Sequence, residues 1–176
     1  MAKAARYRKY SILAAICYAC FTSYTLCKGL QTYSRNAVII PILTIMFWIL
    51  LVATTISLFL ANKNLLLIII GITLLYDILL VTRNLTIGTF LGIIPTSMLL
   101  TILILAVKGH NLSYLWYIPA VSRFDVYAFQ WLTGKYLLYF NASIIRTMLF
   151  SLTEVVALLF IGIWLNMTVH NKKSEQ

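Results

Sequence analysis

The run Ala37–Ala61, "AVIIPILTIMFWILLVATTISLFLA", goes 25 residues without a charge. About 20 apolar residues as helix cross the hydrocarbon core of a bilayer, so this stretch spans one with room for tilt. A soluble helix needs a polar face toward water, and this segment has none to offer.

The rest of the chain repeats the pattern. Runs of similar character follow at Asn64–Thr82, Thr86–Val107 and Thr147–Val169, with a shorter and more polar one at Ser11–Cys27. Across all 176 residues the composition is 62% hydrophobic and 10% charged. Soluble domains carry roughly 45–50% apolar and about 25% charged residues, so lipid must cover most of this surface. The expected fold class is an all-α integral membrane helical bundle, a single multi-pass domain over residues 1–176 with five or six transmembrane helices. That composition fits an endoplasmic reticulum membrane or a bacterial plasma membrane equally.

The segment between Lys108 and Arg146 decides the count of spans. It is dense in Tyr and Trp (Tyr114, Trp116, Tyr117, Trp131, Tyr136, Tyr139), the residues that favour the headgroup zone. Residues 126–140 read as a short sixth span, a re-entrant piece or a helix lying in the interface, with Gly134 and Lys135 interrupting the apolar run. With the N-terminus cytoplasmic, six spans bring Lys172 and Lys173 to the same side as Lys3, Arg6, Arg8 and Lys9. Five spans instead gather Lys108, Arg123, Lys135 and Arg146 on that side, so charge placement does not settle the count, and six spans are slightly favoured. The opening "KAARYRK" and the apolar stretch after it resemble a signal sequence. Without a small-residue cleavage site they read as a signal anchor.

The formal net charge of +10 would suggest nucleic acid in a soluble protein. Here the cations sit in short loops and at the chain ends, with no basic stripe or aromatic platform, and no nucleic-acid partner is expected. Cys17, Cys20 and Cys27 fall within about 80° of one helix face. No histidine or acid lies beside them in sequence, so they read as small packing residues rather than metal ligands. Asn84, Asn111, Asn141 and Asn166 each open an Asn-x-Ser/Thr triplet, and all lie near predicted helix ends, where these residue types are common.

Two acids stand inside apolar runs. Asp77 lies in "LLYDILL" and Glu154 in "FSLTEVVALL". A charged carboxylate at mid-membrane costs roughly 2.5–3.5 kcal/mol on insertion scales, so each must face the bundle and find a partner, or be protonated. Arg83, Lys135 and Arg146 are the cations considered. Arg146 precedes Glu154 by eight residues, about 12 Å along the axis, too far to pair within the helix. Arg83 falls on the opposite face from Asp77. Partners must therefore come from other helices or other chains. Gly88 and Gly92 form a GxxxG motif continued by Thr96, the spacing that lets two helix backbones approach closely. Pro95 should kink the same helix.

Nothing in the sequence builds a catalytic set. His110 and His170 have no third ligand nearby, and no phosphate-binding loop or nucleophile elbow appears. The chain is expected not to be an enzyme, to use no cofactor, and to hold no metal. Around "LLYDILL" and "FSLTEVVALL" it looks slightly similar to fungal proteins associated with mitochondrial-genome maintenance. In length and helix number it is similar to substrate-binding subunits of vitamin transporters, without their glycine-rich character. Neither resemblance implies a function here.

The leading expectation is an accessory, assembly or chaperone-like membrane protein acting through helix contacts. Its partners would be the lipid bilayer and either another membrane protein or a second copy of itself. Asp77, Glu154 and Arg146 would then be intramembrane contacts, and Gly88, Gly92 and Thr96 a packing face. The alternative is a small transporter or transporter subunit in which Asp77 and Glu154 couple to a cation or proton.

Overall fold

The structure is a computed structural model that describes residues 2–36, 41–83, 87–112, 114–133 and 142–174. Side chains are described over 7–34, 41–83, 90–112, 114–132 and 145–170. It is all-helical among the described residues: α1 (Ala2–Asn36), α2 (Ile42–Phe59), α3 (Lys63–Arg83), α4 (Ile87–Lys108), α5 (Ile118–Thr133) and α6 (Ala142–Ser174). Five of these, all but α5, are long and apolar enough to cross a membrane.

Local chemistry explains the boundaries. Pro41 caps the start of α2, and its carbonyl accepts from the Thr44 and Ile45 amides. Proline suits this place because its fixed φ enters a helix while its missing N–H is not needed. Asn62 Oδ1 accepts from the amides of Asn64 and Leu65 at 3.1 Å, an asparagine cap that starts α3 after a connection of three residues. Gly109, at φ 81°, closes α4, and the next amide reaches back from His110 to the Leu105 carbonyl.

Each helix packs against its neighbours in sequence, and α6 returns to pack along α1, its most extensive contact. The result is a closed ring of six helices. α1 and α6 are antiparallel, with Tyr10 against Phe160 near one end and Tyr24 stacked on Phe150 toward the other. α5 is antiparallel to α6 as well, since Arg123 meets Glu154 while Trp116 lies beside Gly162. Although only 16 residues long, α5 therefore runs from one end of the bundle toward the other. It begins eight residues before the segment 126–140 expected from sequence, and residues 134–140 lie outside the described ones.

The two ends of the ring differ. At the end where α1 begins and α6 finishes, Leu58, Leu66, Leu103, Leu112, Ile161 and Leu165 are fully buried and form an apolar plug. Gly162 makes that plug possible, because a Cβ there would run into the Trp116 carbonyl. Outward faces carry large apolar side chains, Ile42, Ile68 and Leu75 being more than 60% exposed. That is the surface of a protein dissolved in lipid.

Candidate functional site: a polar cavity at the centre of the ring

Every helix contributes to one central cavity of about 90 Å³. Tyr18 and Phe21 reach it from α1, Phe47 and Thr54 from α2, Thr73 and Asp77 from α3, Gly92 and Thr96 from α4, Arg123 from α5, and Glu154 from α6. A water needs roughly 10–15 Å³ of such space, so the cavity has room for several waters or for a small ion with part of its hydration.

Glu154 is buried and held on both oxygens. Arg123 Nη2 lies 3.0 Å from Oε1 and its Nε donates to Oε2 at 3.1 Å, a two-point grip that a lysine could not make. Tyr127 also donates its hydroxyl to Oε2. The Arg123 guanidinium lies over the Tyr127 ring at 5.1 Å, which adds a cation–π contact. Trp131 stacks with the same tyrosine, its ring parallel within 10°. Glu154 and Arg123 thus neutralise each other and tie α5 to α6.

Asp77 is placed differently. It lines the cavity and accepts a hydrogen bond from Thr96 Oγ1 at 2.8 Å, which links α3 to α4. Among the described residues it has no ion-pair partner. Thr96 bonds weakly to its own helix as well, at 3.3 Å to the Gly92 carbonyl. A Cβ built on Gly92 would meet no heavy atom within 4 Å among the described residues. Gly92 therefore supplies open space beside Asp77 rather than a close helix contact. The surroundings of Gly88 lie outside the described residues.

The sequence-based candidates are thus divided. Asp77, Glu154, Gly92 and Thr96 come together on one cavity, while Arg146 is exposed on the far side of α6. The cation that serves Glu154 is Arg123 of α5, rather than Arg83, Lys135 or Arg146.

A second, polar cleft lies between α1, α5 and α6 and leads outward on the side away from the plug. Tyr24, Thr25, Lys28, Thr32, Tyr127, Gln130, Thr147 and Ser151 line it, and Phe21 lines both cleft and cavity. The Arg123–Tyr127–Glu154 cluster stands between the two. Among the described residues no three His, Cys, Asp or Glu side chains are grouped to hold a metal ion. Asn166 lies inside α6 with a buried Oδ1 that accepts no hydrogen bond among the described residues, a poor setting for a glycan.

No family description matches this sequence, and neither the curated proteins nor the solved structures compared with it contain a match.

Proposed function

We propose that the protein is a small membrane transporter, or a transporter subunit, that binds a proton or a small monovalent cation at Asp77. The observation that carries this reading is the unequal treatment of two carboxylates on one cavity. Glu154 is paired with Arg123, whereas Asp77 has no ion-pair partner among the described residues. A carboxylate held at mid-membrane with space beside it lowers its cost by taking up a proton or a cation. The Thr73 and Thr96 hydroxyls offer oxygen ligands, and Tyr18, Phe21 and Phe47 offer ring faces that a cation tolerates. Access is one-sided: the leucine plug shuts one end, and the polar cleft approaches from the other. Movement of the Arg123–Tyr127–Glu154 cluster would connect cleft and cavity, and separation of the plug would release the ion on the opposite side.

The second reading is an accessory or assembly protein working through intramembrane contacts with another membrane protein or its own copy. It draws support from the Glu154 cluster, which is a structural clamp with no need of a substrate. Proteoliposomes separate the two readings. Under transport, Asp77→Asn abolishes uptake of protons, sodium, potassium or methylammonium while the protein still inserts. Under assembly, wild-type vesicles move none of these ions, and the same substitution lowers recovery of a partner in mild detergent. If flux, partner recovery and abundance are all unchanged, Asp77 has neither role.

A further inference from the structure

On the outside of the ring, away from the central cavity, α1 and α6 enclose a long groove of about 690 Å³. Its floor is apolar, with Ile16, Ala19, Phe59 and Phe150, and its upper end carries Lys28 and Arg146. We propose that this groove is a binding site for an anionic phospholipid, with the phosphate on the two cations and one acyl chain along the apolar floor.

Three observations support the assignment. First, the two cations have no acid to answer them. The one ion pair among the described residues belongs to Arg123 and Glu154, on the inner face of the bundle. Arg146 is exposed and makes no hydrogen bond among the described residues, whereas Lys28 is fixed in place. Its Nζ donates to Thr147 Oγ1 at 3.2 Å and lies 5.7 Å from the centre of the Tyr24 ring. Tyr24 is itself held by Thr147 at 2.8 Å and by the stacked Phe150 ring. One cation is preorganised and the other is free to close on a ligand.

Second, the dimensions fit. Ile16 and Lys28 are twelve residues apart on one helix, about 18 Å along the axis. That is slightly more than half of the roughly 30 Å hydrocarbon core, the depth of one leaflet. Third, the α1 wall is made of small side chains: Cys20, Ser23 and Cys27 lie in the groove, with Cys20 and Cys27 exposed. Small residues here leave a channel where leucines would close it. This gives Cys20 and Cys27 a role as the low wall of a lipid groove.

The test is lipid binding by the full chain in mild detergent, followed by native mass spectrometry and by thermal stabilisation. The probes are dioleoyl phosphatidylglycerol, dioleoyl phosphatidylcholine and glycerol 3-phosphate. A cation near anionic lipid contributes about 1 kcal/mol, roughly fivefold in affinity each, so phosphatidylglycerol should bind about 30-fold tighter than phosphatidylcholine. Lys28→Gln with Arg146→Gln should remove that preference. Arg146→Gln alone leaves the Lys28–Tyr24–Thr147 contacts intact and should remove about fivefold of it, which keeps the test open if the double variant does not fold. Ala19→Trp, which fills the floor, should weaken both lipids together. Equal binding of the two lipids by the wild type overturns the proposal, as does a preference that Arg146→Gln leaves undiminished. Binding of glycerol 3-phosphate as tightly as the lipid overturns it too, since the floor would then contribute nothing.

Discussion

Arg123 and Glu154 grip each other through two parallel contacts of 3.0 and 3.1 Å, across the contact between the shortest helix and the last one. Neither makes a second ion pair among the described residues. Removing one partner therefore leaves a buried charge uncompensated, a loss of about 3–5 kcal/mol in comparable buried pairs. Arg123→Gln should destabilise the bundle on that scale in an SDS unfolding titration. Arg123→Met combined with Glu154→Leu should recover most of the loss, because the pair costs desolvation that two apolar side chains do not. If the double variant is as unstable as the single one, the cluster does more than balance charge.

The same cavity gives a prediction for Thr96. Its hydroxyl is the one hydrogen-bond donor to Asp77 among the described side chains. A hydrogen bond to a charged group contributes roughly 1.5–3 kcal/mol. If Asp77 binds its cation as a carboxylate held in place by Thr96, Thr96→Val should weaken cation binding about tenfold or more. The readout is stabilisation of the purified protein against heating across a potassium, sodium or methylammonium titration, since a ligand of the folded state raises its melting temperature. Asp77→Asn should abolish that stabilisation while leaving the cation-free melting temperature the same or higher.

Two glycines should respond oppositely to the same change. At Gly92 an added methyl meets open space, so Gly92→Ala should keep the fold and gain up to about 1 kcal/mol from helix propensity. It would also take room beside Asp77 and weaken cation binding. At Gly162 the methyl meets the Trp116 carbonyl, so Gly162→Ala should cost about 1–3 kcal/mol and loosen the plug. Melting curves of the two variants, measured side by side, decide the matter.

These responses bear on what the sequence made legible. The apolar runs placed α2, α3 and α4 within a few residues, because lipid imposes both the length and the absence of charge. α1 was expected at Ser11–Cys27 and extends over Ala2–Asn36. Its polar residues, read in isolation as weakness, are satisfied by other helices: Thr22 meets Thr55, Tyr24 meets Thr147, and Tyr33 meets Thr44. The two acids were found because an acid in an apolar run stands out. Arg123 was not, because it lies in an amphipathic helix where an arginine looks like any solvated charge. The GxxxG spacing was visible too, but spacing alone does not say whether Gly92 meets a helix or a void.

Topology follows from the antiparallel order. The first turns of α1 and the last turns of α6 lie at the plugged end of the ring, as the Tyr10–Phe160 contact requires. Lys3, Arg6, Arg8 and Lys9 on α1 are joined at that end by Lys63, Lys108, Lys172 and Lys173. Lys28, Arg35, Arg83 and Arg146 lie toward the other end. The positive-inside rule predicts a cytoplasmic plugged end and a polar cleft that opens to the other side. Reporters that are active only in the cytoplasm should therefore work when fused at either residue 1 or residue 176, and should fail when inserted directly after Arg83. Opposite results at the two chain ends would mean that α5 does not cross the bilayer. The cavity would then be a pocket at the interface rather than a site at mid-membrane, and the transport reading would lose its geometric basis.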